Sequence, residues 1–142
     1  MERVYIFDTT LRDGGQTKGV DFSFADKIAI SEALDDLGID YIEGGWPGAN
    51  PTDDKLFGSP PKLKVSNFVA FGMTRRPNTS AANDPGLNAV LSGKSDSVCL
   101  VGKTWDFHVS KALNITLEEN IDMISESVNE INKRGKQALF DC

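Results

Sequence analysis

The chain is poor in the residues that build most metal sites, disulfide frameworks and membrane spans. It has a single histidine and two cysteines among 142 residues. Cys99 and Cys142 show no ligand-type spacing, so they are expected to be reduced thiols, with Cys99 a small core residue. No apolar run approaches the roughly 18 residues of a membrane span. The amino terminus lacks the basic-then-apolar pattern of a signal segment. A cytoplasmic protein without membrane partners is expected. Basic residues are also in deficit, 15 Lys and Arg against 21 Asp and Glu, for a net charge of -6. No broad basic stripe is available to neutralise phosphates, which argues against a nucleic-acid partner. The stretch Gly14 to Gly19 fails the G-x-x-x-x-G-K-[ST] pattern, because Val20 and Asp21 follow it, so it is not a phosphate loop of that kind.

What is present is organised around the first twenty residues. The β-branched and aromatic run Val4 to Phe7 predicts a buried strand. It empties into a polar, glycine-rich loop carrying Asp8, Arg12, Asp13 and Gln16. Adjacent Arg and Asp place a cation and a hard oxygen ligand side by side at a strand's carboxyl end, the edge where parallel α/β folds build their sites. Asp8 is expected to brace the loop through hydrogen bonds to backbone amides.

The rest of the chain alternates. Ser23 with Asp26 resembles a capping box that opens a helix, with Phe24, Ile28, Leu34 and Leu37 on its apolar face and Gly38 at its end. Ile39 to Glu43 reads as a second strand leading into Gly44-Gly45-Trp46-Pro47-Gly48. Asn50 to Pro61 reads as loop with room for one helical turn. A third strand is predicted at Val65 to Phe71, closed by Gly72 and the pair Arg75-Arg76. A short helix from Asp84 to Gly93 and a fourth strand at Val98 to Val101 follow. Thr116 with Glu119 forms a second capping box before a helix whose face is Leu117, Ile121, Ile124, Val128 and Ile131. Ala138 to Phe140 begins a fifth strand.

This order, without hairpin turns, predicts a parallel sheet with right-handed crossovers. A closed eight-unit barrel takes about 250 residues, so the chain supplies about four and a half βα units. A doubly wound open sheet also fits this length.

The residues Phe7-Asp8-Thr9-Thr10-Leu11-Arg12-Asp13-Gly14-Gly15-Gln16 resemble the amino-terminal signature of the α-isopropylmalate, homocitrate and citramalate synthases. These belong to a wider group of metal-dependent TIM-barrel lyases and synthases. Tyr41 to Pro51, Gly102 to Val109 and Thr116 to Asn120 resemble the citramalate synthase branch. The resemblance implies a partial (β/α)8 TIM barrel, with residues 1–142 as the amino-terminal part of a catalytic domain that stops within the fifth strand. It implies condensation of acetyl-CoA with a 2-oxo acid, pyruvate in the citramalate branch, within branched-chain amino acid biosynthesis.

By the same resemblance, Asp13 is a ligand of a divalent metal (Mg, Mn or Zn), and Arg12 stabilises the oxyanion formed when the carbonyl is attacked. Glu43 completes an Asp-Arg-Glu set by holding Arg12 or a metal-bound water. Gln16 orients the acceptor or such a water, and His108 lies near the acceptor. Lys103 and the Arg75-Arg76 pair share that edge and could meet phosphates of CoA or the acceptor carboxylate.

The chain departs from the family in having no His-x-His pair, which supplies the family's other metal ligands. By itself it is therefore expected to be inactive. It is also expected to be a homo-oligomer, or to be completed by the missing half of the barrel, with self-association if its sheet edge stays open. The alternatives are an isopropylmalate or homocitrate synthase, a lyase or aldolase of the same superfamily, or a non-catalytic half-barrel module.

Overall fold

The protein is described here by a computed structural model covering residues 2–142. Five strands form one sheet: β1 (Phe7–Asp8), β2 (Tyr41–Gly45), β3 (Asn67–Met73), β4 (Ser97–Val101) and β5 (Gln137–Asp141). Each lies parallel to its neighbours, and their order in space is their order in the chain. Right-handed crossovers that always step in one direction put every helix on the same face of the sheet. A doubly wound sheet must reverse direction, so that alternative is excluded. The architecture is a curled half of a (β/α)8 barrel.

The helices are α1 (Phe24–Leu37), α2 (Pro51–Gly58), α3 (Pro85–Ser92), a single turn α4 (Asp106–His108) and α5 (Leu117–Lys133). Alternation along the strands sorts the two faces of the sheet. Phe68, Ala70, Val98 and Leu100 join Leu56, Phe57, Leu87, Val90, Leu91 and Ile131 in the core between sheet and helices. Glu43, Phe71, Cys99, Leu139 and Asp141 have the opposite parity and face the inside of the half-barrel.

Local signals explain most boundaries. Ser23 and Asp26 form a reciprocal capping box, and Gly38 closes α1 in the left-handed conformation with φ 85°. Asp84 caps α3, with Pro85 at its first position. The segment after Asn50 is a two-turn helix rather than a loop. Asn50 accepts from the Asp53 amide and Pro51 occupies the first helical turn, a cap and proline pair that marks a helix start.

Four further expectations are corrected. Among the described residues Val4 to Phe7 is not a buried strand: only Phe7 and Asp8 pair, with β2, and Val4, Tyr5, Ile6 and Phe7 are exposed. On α1, Phe24 and Ile28 pack against the core as expected, but the fully buried positions are Lys27, Ser31 and Asp35, and Leu37 is exposed. α5 is rotated from the expected stripe: Asn120, Met123, Ser127, Glu130 and Ile131 are buried, and Leu117 and Ile121 are exposed. Thr116 caps the Glu119 amide, but the Glu119 carboxylate goes to Arg75 instead of back to the cap.

The buried polar side of α1 has a structural task. Asp35 accepts backbone N–H groups from Lys64, Val65 and Ser66 at 2.7 to 3.0 Å, and so fixes the entry to β3. Burial pushes its carboxyl up, but those amides outweigh it and hold the group well below the usual carboxylate range. A depressed carboxylate stabilises the fold above its unfolded value and loses that contribution as pH falls through the folded value. Asp35→Asn is therefore expected to unfold at lower temperature than the parent at neutral pH. The gap should close in strong acid, as read by thermal melts across pH.

Candidate active site

Two strands, β2 and β3, and the loop after β1 converge on Arg12. The loop after β1 turns back on itself, with the amides of Arg12, Asp13 and Gly14 all directed at the Thr9 carbonyl. Asp8 accepts the Thr10 amide and hydroxyl, each at 3.0 Å, which pins the loop's start. From this turn Arg12 reaches across to β2 and β3. Its Nε donates to Glu43 Oε2 at 2.7 Å, its Nη1 donates to Asp13 Oδ1 at 3.2 Å, and its guanidinium carbon stands 4.1 Å from the centre of the Phe71 ring.

Glu43 is 1% exposed. Burial raises its carboxyl above the ordinary value, with the Arg12 guanidinium opposing and Asp141 and Asp13 adding to the rise. The Arg12–Glu43 pair is thus a buried charge pair whose net stabilisation is small, because desolvation offsets much of the attraction. Its geometric consequence is clearer. Among the described residues no hydrogen bond goes to Nη2, so one edge of the guanidinium is left for a ligand.

A cavity of about 360 Å³ opens on the inner face against Phe7, Thr9, Arg12, Glu43, Cys99, Leu139, Phe140 and Asp141. Arg12 also borders a second cavity of about 350 Å³, between the loops after β1 and β2, which Gln16, Lys27, Trp46 and Asp53 help to line. Arg12 thus lines both cavities. Gln16 sits in a 3₁₀ turn on the second cavity, away from Glu43.

His108 ends α4 beyond β4, exposed and edge-on to Trp105 at 4.6 Å between ring centres. It lines a third cavity with Lys103, Trp105, Asp141 and Cys142. The structure does not bring His108 into contact with Arg12, but Asp141 borders both the His108 and the Glu43 cavities. Asp141 was missed by sequence reasoning. The signal available was its position as an acidic residue at the end of an apolar strand.

Arg75 is not free to meet an anionic ligand. It is buried, with Nε bonded to Glu126 at 2.6 Å and Nη1 to Glu119 at 2.9 Å, so it ties the end of β3 to α5. Arg76 is exposed.

Asp13 projects from the loop with its side chain 62% exposed. Among the described residues no group of three or more His, Cys, Asp or Glu side chains is arranged to hold a metal ion. One carboxylate turned partly toward an arginine does not by itself fit a divalent cation, which needs several oxygen or nitrogen ligands.

Cys99 is a free, buried thiol and Cys142 a free, exposed one. Burial, with Glu43 and Asp141 nearby, pushes the Cys99 thiol up to about 12. Iodoacetamide at neutral pH is expected to label Cys142 and spare Cys99 in the folded protein, with both labelled in denaturant, as read by peptide mass mapping. Labelling of Cys99 at the rate of Cys142 would contradict its placement.

Comparison with known proteins adds to this geometry. The HMGL-like family profile matches residues 3–142. The chain is 49% identical to an (R)-citramalate synthase of Aquifex aeolicus and 44% to one of Sulfolobus acidocaldarius, over 99% and 98% of its length. It is 31% identical to a 2-isopropylmalate synthase of Solidesulfovibrio magneticus over 99% of its length. In each case it spans about a quarter, 27%, of the relative. Its fold is similar to that in the crystal structure of the HMG-CoA lyase from Brucella melitensis, with a TM-score of 0.72 at 19% identity, covering 99% of this chain and 48% of that one. Among the described residues no helix is long and apolar enough to cross a membrane.

Proposed function

The chain belongs to the HMGL-like family, and on that premise we propose that it is the amino-terminal part of a barrel that condenses acetyl-CoA with a 2-oxo acid, pyruvate being the acceptor. The observation that carries this reading is Arg12: a guanidinium fixed by a buried carboxylate and an aromatic ring at the carboxyl end of a parallel sheet, in a residue that lines a cavity.

In the proposed reaction acetyl-CoA loses a methyl proton to a general base contributed from outside the described residues, and the resulting carbanion equivalent forms a bond to the acceptor's keto carbon. The carbonyl π electrons move onto oxygen, which then takes a proton to give the tertiary alcohol. Arg12 donates to that oxygen as its charge develops, where a preorganised donor has its largest effect. Glu43 is a positioning residue, holding Arg12 by Nε so that the guanidinium does not reorganise during the step. Hydrolysis of the thioester then consumes water and releases CoA. Gln16 orients the acceptor from the second cavity, and His108 faces the ligand from the cavity beyond Asp141. Members of the family generally depend on a divalent metal. Asp13 would contribute one of the ligands, and the remaining ligands would come from outside the described residues.

Pyruvate is favoured over a branched acceptor because similarity to the citramalate synthases, at 49% and 44% identity, exceeds that to the isopropylmalate synthase at 31%. Release of the CoA thiol, measured with a panel of 2-oxo acids, tests the choice. Pyruvate is expected to exceed 2-oxoisovalerate in kcat/KM by about 10-fold or more, the discrimination that small differences in apolar bulk supply. The reverse order would replace this reading with an isopropylmalate synthase.

A further inference from the structure

A buried polar cluster borders the second of the two Arg12 cavities, between α1, β2 and α2. Lys27 is 6% exposed and Asp53 is 5% exposed. Lys27 Nζ donates to the Gly44 carbonyl at 3.0 Å and is paired with Asp53 Oδ1. The other oxygen of Asp53 accepts the Trp46 amide at 2.9 Å and Asn50 Nδ2 at 3.0 Å. A buried ion pair is a poor device for stability alone, since apolar residues of equal volume often do as well or better. Its position suggests another use.

The cluster is wired to the site by two routes. Along the backbone, the β2–β3 register shifts between Glu43 and Gly45, so Gly44 is the extra residue of a bulge immediately after Glu43. Bulges redirect the neighbouring side chain, and the Gly44 carbonyl is the one that Lys27 holds. A Cβ on Gly45, where φ is 155°, would lie 2.5 Å from the Asp53 carboxyl carbon, so the carboxylate occupies the space that glycine leaves. Through side chains, the Trp46 amide held by Asp53 sets a ring that meets Phe71 edge-on at 5.3 Å, and Phe71 is the ring under Arg12.

We propose that the Lys27–Asp53 pair is a positioning device that holds Glu43 and Phe71, and through them the Arg12 guanidinium, in place for anion stabilisation. Its catalytic consequence rests on the reaction proposed above; its structural consequence does not.

The test removes both charges together, since loss of one partner alone strands a buried charge. In Lys27→Met/Asp53→Asn the Arg12 Nε–H resonance, observed by proton–nitrogen NMR, is expected to move and broaden while cooperative unfolding is kept. In the condensation assay kcat is expected to fall about 10- to 100-fold, the scale of a misplaced catalytic group, with the acceptor KM changed far less. Lys27→Arg keeps the charge but not the compact single nitrogen. It serves as the second variant should the double one fail to fold, and is expected to shift the same resonance by less. An unchanged Arg12 resonance in either folded variant overturns the proposal whatever happens to turnover, and so does a moved resonance with unchanged kcat. Both assays use the full enzyme that carries this chain; absence of turnover in that parent overturns the proposed reaction instead, and the resonance then decides on the pair.

Discussion

Arg12→Ala is expected to lower turnover of the proposed condensation by about 100- to 1,000-fold, the usual cost of deleting one oxyanion donor. It should also destabilise the protein, and the pH dependence of that loss identifies its cause. In the parent the guanidinium offsets part of the burial penalty on Glu43. Without it the carboxylate is buried and unpaired, a change that costs about 3 kcal/mol when one partner of such a pair is removed. This corresponds to a fall of about 12 °C in melting temperature for a chain of this size. A carboxyl whose folded value lies above its unfolded one binds more protons when folded. Its burial therefore costs nothing below the ordinary carboxylate range, and costs progressively more as pH rises through the raised value. The parent already loses some stability over that window. Arg12→Ala should lose more and continue losing to higher pH, whereas Arg12→Ala/Glu43→Gln should show neither effect. Melts of the three proteins from acid to neutral pH decide this; a deficit in Arg12→Ala that is independent of pH would mean that Glu43 is not the group left stranded.

Gly44→Ala is expected to be nearly as damaging without removing any functional group. A Cβ there would sit 2.3 Å from Phe68 Cζ and 3.3 Å from Leu56 Cδ2. Phe68 cannot retreat easily, because it is buried and its ring packs on Phe57 at 5.0 Å between centres. Overpacking of this kind costs about 3 kcal/mol, or about 12 °C in melting temperature. The strain falls on the residue next to Glu43, so turnover should drop as well. Gly58→Ala is the control, since nothing lies within 4 Å of a Cβ at that position. Equal melting temperatures for the two variants would contradict the packing described behind β2.

Much of this fold was legible because its signals are local. The Ser23–Asp26 box, Gly38 and the Asp84-Pro85 start are short-range patterns, and the strands they separate fall within two residues of their expected bounds apart from β1. The misreadings share a different cause. Val4 to Phe7 has the composition of a buried strand, but burial depends on neighbours, and among the described residues only β2 lies beside it. On α1 and α5 the inward face is only partly the apolar stripe. Phe24, Ile28 and Ile131 do pack on the core, but the buried faces also contain Lys27, Asp35, Asn120 and Glu130, each satisfied by a partner distant in sequence or at a helix end. Hydrophobic periodicity cannot show such partners. The same limit applies at the site. The contacts of Arg12 with Glu43 and Asp13 follow from residues the motifs pick out, whereas the Lys27–Asp53 pair spans 26 positions, and no motif announces it.

The most direct test of the account is to observe the new carbon–carbon bond. [2-13C]pyruvate and [2-13C]acetyl-CoA are mixed with the enzyme that carries this chain and followed by carbon NMR. The account predicts a product in which the former keto carbon, now a tertiary alcohol, shows one-bond coupling to the former acetyl methyl carbon. That signal should be lost in Arg12→Ala. Release of CoA with label appearing only in acetate, or no coupling with pyruvate under conditions where the parent is folded and metal-loaded, would contradict it.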